Sequence, residues 1–311
     1  MEKVRGTRIC IYLWSMAVFL FSFSEMVNAQ SNVREKYSKI MWSYLEVLSG
    51  FGPRYVGTQG YSKTLRLIRS VGAEFADEVI EHSFFVKQHG GGQRRMINVE
   101  FVFHGKGEGQ SVLLGAHYDT RPFADQESDP ILQTRPIIGS NDGGSGTSVL
   151  LGLARYLKEY PVVQPVRLMF FDGEDFGRSG TGEMFLGPKH HAGYLRKTLQ
   201  KNWPLAVIIV DMVGDKDLEI FKETHSMISG PEVLDRIYSV AKRINSFQFN
   251  EKSKHTIQDD HLPFARLGIP SVVLIDFDYP HWHKVSDTLD KCSARSLSAV
   301  LSVLVRVLSE W

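Results

Sequence analysis

The sequence predicts an α/β protein: a single-domain three-layer sandwich in which helices flank both faces of a mostly parallel central sheet. Three observations carry that expectation. Apolar runs at 111–116, 166–171, 205–211 and 271–276 alternate with stretches of helical period, and continuous rather than alternating apolar strands suit a sheet buried on both faces. Several of these runs are followed directly by a side chain of metal-ligand type. No internal repeat or linker divides the 311 residues.

The elements can be justified in order. Ile40, Met41, Tyr44, Leu45 and Leu48 recur at spacings of three and four, which predicts an amphipathic helix over 33–50 ended by Gly50, before Gly52-Pro53-Arg54 turns the chain. Leu65, Ile68 and Val71 share one face of a second helix, Thr64 to Phe75. Strands are expected at 79–87, 96–104 and 111–116, with Gly90-Gly91-Gly92 looping between the first two. The polar stretch Pro122 to Pro136 reads as a surface loop, and Gly143-Gly144-Ser145-Gly146 opens a helix, Thr147 to Glu159. Beyond it the pattern predicts strand 166–171, loop 176–183, helix 187–200, strands 205–211 and 217–221, and helix 231–244. A helix start after Asp260, strand 271–276 and a closing helix from Ser296 to Leu308 complete the chain.

Composition bounds the function. With 43% hydrophobic and 23% charged residues this is ordinary globular protein. A formal charge of +1, from 36 basic and 35 acidic residues, gives no electrostatic footprint for nucleic acid. Lys3, Arg5 and Arg8 precede the apolar run Ile9 to Phe23, and Val27-Asn28-Ala29 has the small residues of a cleavage site. That run is shorter than the roughly 20 residues a membrane span needs. Residues 1–29 are therefore expected to be a signal peptide and 30–311 the catalytic domain of an exported, periplasmic or secreted protein with no membrane contact after cleavage. Cleavage would make Gln30 the first residue and remove Cys10, leaving Cys292 without an intramolecular disulfide partner. A monomer is expected.

Residues at the carboxyl ends of neighbouring strands converge in the crevice of an open α/β sheet, so ligands distant in sequence can share one metal. Here those residues are His117 after Ser111-Val-Leu-Leu-Gly-Ala, Asp142 after Ile137-Ile-Gly-Ser-Asn, and Glu174 and Asp175 after Leu168-Met-Phe-Phe-Asp-Gly. Asp211 after Ala206-Val-Ile-Ile-Val and His283 beyond Val272-Val-Leu-Ile complete the set. Zinc takes His nitrogen and carboxylate oxygen in a tetrahedral shell with one open position, and Asp142, Asp175 and His283 form the minimal set. An Asp before Gly-Gly-Ser-Gly could instead cap the following helix. Glu174 and Asp175 point differently from an extended strand end, which allows Asp175 to bind metal and Glu174 to shuttle a proton. In Ile257-Gln-Asp-Asp-His-Leu-Pro-Phe264 a buried Asp259 could orient a substrate amine while Asp260 caps a helix. Trp282 would form an aromatic wall beside His283.

His117-Tyr-Asp119, Ser140-Asn-Asp142-Gly-Gly-Ser-Gly146, Phe170-Phe-Asp-Gly-Glu-Asp175, Val210-Asp-Met-Val-Gly214 and Trp282-His283 together resemble the zinc aminopeptidase-like superfamily, peptidase family M28. Within it, from about Gly52 to the C-terminus, the chain looks most like the animal-type glutaminyl-peptide cyclotransferases and their bacterial relatives. The resemblance implies a mixed, mostly parallel sheet and one zinc ion held by Asp142, Asp175 and His283. It further implies Glu174, Asp211 and Asp259 as catalytic groups, and Ile257, Gln258 and Trp282 at the substrate. The implied reaction turns the N-terminal glutamine of a peptide or protein into pyroglutamate and releases ammonia. Asp175 stands where animal cyclases have Glu, and the loop after it lacks their tryptophan. The rival reading is an aminopeptidase with a second zinc on His117 and Asp211; a non-catalytic binding domain is the third.

Overall fold

A computed structural model of the chain describes residues 32–87, 91–178 and 181–311. The expected signal segment and Gln30 lie outside them. A six-stranded mixed sheet forms the middle layer, in the order β1 (Glu78–Lys87), β2 (Gln93–Phe103), β4 (Val166–Phe171), β3 (Val112–His117), β5 (Ala206–Asp211) and β8 (Ser271–Ile275). β1, β2 and β4 pair antiparallel; β4, β3, β5 and β8 run parallel. His117 pairs with Phe171, Gly115 with Ile209 and Asp211 with Ile275, so the last residues of four parallel strands reach one edge together.

Side chains alternate across a strand, and here both sets are covered. Leu114, Ala116, Leu168, Phe170, Ile208, Val210, Val272 and Leu274 face a large apolar cluster. It is closed by the helix over residues 32–50 (α1), α2 (Gln59–Phe75), α3 (Ser145–Glu159), α6 (Pro231–Arg243) and α8 (Ala294–Ser309). Leu113, Met169, Phe171, Val207, Ile209, Val273 and Ile275 face a smaller cluster under α4 (Leu186–Leu195) and the single turn α7 (Leu262–Ala265). Truncating a fully buried strand residue such as Leu114 to Ala should cost about 2–5 kcal/mol. Gly146 lets α3 lie directly on β5, since a Cβ there would sit 2.1 Å from the Val210 carbonyl oxygen. Cys292 is buried and unpaired.

Differences from the sequence reading have local causes. The second helix begins at Gln59, not Thr64, because Thr58 Oγ1 accepts the Tyr61 amide and caps it there. α4 stops at Leu195 rather than 200: that residue's carbonyl oxygen takes bonds from the Thr198 amide and hydroxyl and from Trp203 Nε1. The strand expected at 217–221 shrinks to β6 (Ile220–Lys222), with the Glu219 amide drawn to Asp276. Two elements went unread. α5 (Thr224–Ser229) starts on a glutamate cap, Glu223, which accepts the His225 and Ser226 amides. β7 (Phe249–Ser253) pairs in parallel with β6 and buries only Phe249, leaving no alternation to detect. Among the described residues no helix is long and apolar enough to cross a membrane.

Candidate metal centre

The common strand edge carries a dense group of acids and imidazoles. Asp142, Asp175 and His283 each offer a ligand atom within 4.8 Å of the others. His283 Nε2 lies 3.5 Å from Asp142 Oδ2 and 3.3 Å from Asp175 Oδ1. Asp142 also belongs to a second group with His117 and Asp211, in which His117 Nε2 is 3.3 Å from Asp142 and 3.1 Å from Asp211. A third group joins His117, Glu174 and Asp175. Neither Asp142 nor any other side chain caps α3, which leaves the Asp142 carboxylate to this cluster.

Buried carboxylates hold the backbone that presents these ligands. Asp119, itself 1% exposed, accepts the Glu174 and Asp175 amides, each at 3.1 Å, and fixes the turn after β4. Asp287 does the same for the Asn141 and Asp142 amides at 2.9 and 3.0 Å and also accepts the Tyr279 hydroxyl. Gly143, at φ +78°, is obligatory between them: a Cβ there would meet the Asp119 carbonyl oxygen at 2.3 Å and His117 Cε1 at 3.1 Å. Fully buried Arg54 donates to the carbonyls of Tyr118, Ile138 and Gly139, stitching the loops beneath the site.

The electrostatics show a shortage of positive charge. Burial, then the charge of Asp175, pushes the Glu174 carboxyl well above the usual carboxylate range. Burial and Asp175 also raise Asp142. Burial raises Asp259 and Asp260 strongly, helped by Asp211 on the first and by Asp259 on the second. Burial would lower His117, but Asp211 and the carboxylates bonded to it hold it well above its ordinary value. Asp175 moves the other way: burial is outweighed by His283 and Arg121, and its pKa falls below the normal range. His283 is raised to about 9, with burial overcome by Asp175 and Asp125.

Such a donor set fits a divalent cation. Asp142 Oδ2, Asp175 Oδ2 and His117 Nδ1 are buried without a hydrogen-bond partner, a state that costs about 1–3 kcal/mol per group unless something binds there. Zinc at about 2.0–2.2 Å from nitrogen and oxygen ligands would satisfy the carboxylates and invert the local charge balance.

The remaining sequence candidates fall into place unevenly. Asp259 is 5% exposed and accepts the Asp260 amide, and its charge acts on Glu174. Trp282 packs against His283 and Phe277 with ring centroids 4.2 and 4.9 Å apart. Ile257 lies in the smaller apolar cluster with its amide on Glu223, and Gln258 is exposed. The expected cap by Asp260 is absent: α7 has no side-chain cap, and both Asp260 oxygens lack partners in the interior. Arg121, Asp125 and Asp287 escaped the sequence reading, because the first two stand at the start of a polar loop and the third among half-buried residues with no regular period. The signal available was Arg121 two positions beyond His117-Tyr-Asp119.

Fold and centre together define an α/β protein of the metallopeptidase type, with side chains able to hold a metal gathered at the carboxyl ends of parallel strands. The chain belongs to peptidase family M28, whose sequence profile matches residues 98–308. It is 26% identical over 286 residues to a glutaminyl-peptide cyclotransferase of Bos taurus, covering 81% of this chain and 77% of that one. Alignments with the curated cyclotransferases span 59% to 82% of their lengths. The glutaminyl cyclase structure from Fimbriiglobus ruber superposes with a TM-score of 0.82 at 28% identity, over 88% of this chain and 95% of that one. A Zn-dependent exopeptidase from Parabacteroides distasonis reaches 0.81 at 25% identity, over 88% and 98%.

Proposed function

We propose that the chain is a zinc-dependent glutaminyl-peptide cyclotransferase, converting N-terminal glutamine of peptides or proteins to pyroglutamate with release of ammonia. The observation that carries this reading is the group Asp142, Asp175 and His283 set beside Glu174, a buried carboxyl poised to hold a proton. The names of the relatives support it.

Zinc held by those three residues would supply Lewis acidity toward the side-chain carbonyl of the substrate glutamine. Glu174 would accept the proton of the α-amine as its nitrogen bonds to the side-chain carbonyl carbon, then deliver that proton to the departing amide nitrogen, which leaves as ammonia. Asp211 and Asp259 would hold the amine by hydrogen bonds. Both reacting groups belong to one residue, so positioning replaces an activated water. Trp282 and Phe277 would keep competing water out. Export with the mature chain beginning at Gln30 belongs to the same reading.

A purified mature chain given a Gln-initiated peptide should release ammonia and lower the peptide's mass by one ammonia. Stepwise loss of the first residue would instead favour a two-zinc aminopeptidase, which the second group of His117, Asp142 and Asp211 keeps in view. Identical behaviour of wild type and Glu174→Gln in both assays would leave only a binding domain.

A further inference from the structure

The loop after β3 does more than cross the surface. Asp125 Oδ1 lies 3.0 Å from His283 Nδ1, so the ring's other nitrogen, Nε2, is the one facing Asp142 and Asp175. The Gln126 amide donates to the His283 carbonyl oxygen at 3.3 Å, and Glu127 Oε1 accepts the Val285 amide at 3.0 Å. Asp125 and Gln126 thus grip His283 itself, and Glu127 holds the backbone two residues beyond it. His283 itself has a left-handed backbone, φ +53°, uncommon for residues other than glycine.

Arg121 joins the grip to the second ligand. Its guanidinium is fully buried and forks onto Asp125, Nε to Oδ1 at 2.9 Å and Nη2 to Oδ2 at 2.7 Å, while Nη1 donates to Asp175 Oδ1 at 2.9 Å. Bidentate guanidinium–carboxylate pairing fixes geometry as well as charge. One chain of bonds therefore runs from Asp175 through Arg121 and Asp125 to His283.

We infer that Arg121 and Asp125 are positioning residues of the metal centre: a clamp that fixes the tautomer and ring direction of His283 and the approach of Asp175. This rests on reading Asp142, Asp175 and His283 as metal ligands. Partners that orient metal-bound imidazoles typically contribute about 10–100-fold to metal affinity. The short Asp175 arm is consistent with such a device, since Arg121 holds one of its oxygens and leaves Oδ2 without a protein partner.

The test is zinc affinity of the metal-stripped chain, measured by competition with a chromophoric chelator, for wild type, Asp125→Ala and Asp125→Asn. Asp125→Ala should bind zinc about 10–100-fold more weakly. Asp125→Asn, which keeps an acceptor for His283 but drops the charge facing Arg121, should fall between. The visible spectrum of the cobalt(II)-loaded chain should change in the same order, while far-ultraviolet circular dichroism of the apoproteins stays alike. Zinc binding within threefold of wild type in a folded Asp125→Ala chain overturns the clamp; a wild type that takes up no zinc overturns the ligand reading instead. If the variants do not fold, a crystal structure of zinc-loaded wild type decides: His283 bound through Nε2 with Nδ1 on Asp125 supports the clamp, and binding through Nδ1 overturns it.

Discussion

Asp142 sits between two unlike flanks. On one side, Asp175 is tied to a buried guanidinium directly and His283 through Asp125, and, against burial, His283 and then Arg121 lower the Asp175 pKa. On the other, His117 faces Asp119, Asp142, Glu174 and Asp211 at 3.1–3.9 Å, its charge reaches the buried Asp259 and Asp260, and the ion pairs among the described residues give none of these acids an arginine or lysine. The braced flank resembles a prebuilt ligand set. The acid-rich flank suits a group that arrives carrying positive charge or mobile protons, which is what a substrate's α-amine brings.

Substitutions should separate the two. His283→Ala, on the braced flank, or Asp142→Ala, at its border, should strip the metal and reduce turnover by about a thousandfold, the equivalent of several kcal/mol of lost charge stabilisation. Metal analysis beside the ammonia assay checks this. Glu174→Gln should keep the metal yet lower kcat by about 10²–10⁴-fold, the usual worth of a positioned proton acceptor. His117→Ala should leave one metal per chain and cost about tenfold, the scale of one hydrogen bond to a charged group. Loss of an ion from His117→Ala would make the flanks two metal sites and erase the contrast.

The smallest effect concerns pH. In the proposed reaction Glu174 must be ionised to take the amine's proton, and burial with neighbouring charge raises its pKa. Activity should accordingly rise as pH increases through a limb above the ordinary glutamate value of about 4.3. Asp260 is one of the charges that push it up, so Asp260→Asn should move the acid limb of kcat/KM downward. A pH–rate profile checks the sign, and an upward move would contradict the assignment.

The same contrast marks what was legible in the sequence. The acids and imidazole at the strand ends announced themselves because apolar runs stop abruptly at His117, Asp211 and the Glu174-Asp175 pair, and a shared register brings such ends to one edge. Helices with a wide apolar stripe, such as α3 and α8, were readable for the same reason. The bracing was not. Arg121 and Asp125 sit in a polar stretch whose periodicity says nothing, and their role exists only once His283, more than 150 residues later, folds against them. Asp260 misled in the opposite direction: an Asp before a short helix reads as a cap, yet its carboxyl turns into the protein interior. α5 and β7 were lost because a glutamate cap and a five-residue, mostly exposed strand carry weak local signals.

The most direct test of the account is to titrate zinc into the metal-free chain while following ammonia release from a Gln-initiated peptide. The account predicts activity that climbs to a plateau at one zinc per chain, disappears in Asp142→Ala, and leaves every other residue of the peptide in place. A plateau at two zincs, with residues removed one by one from the peptide's N-terminus, would contradict it.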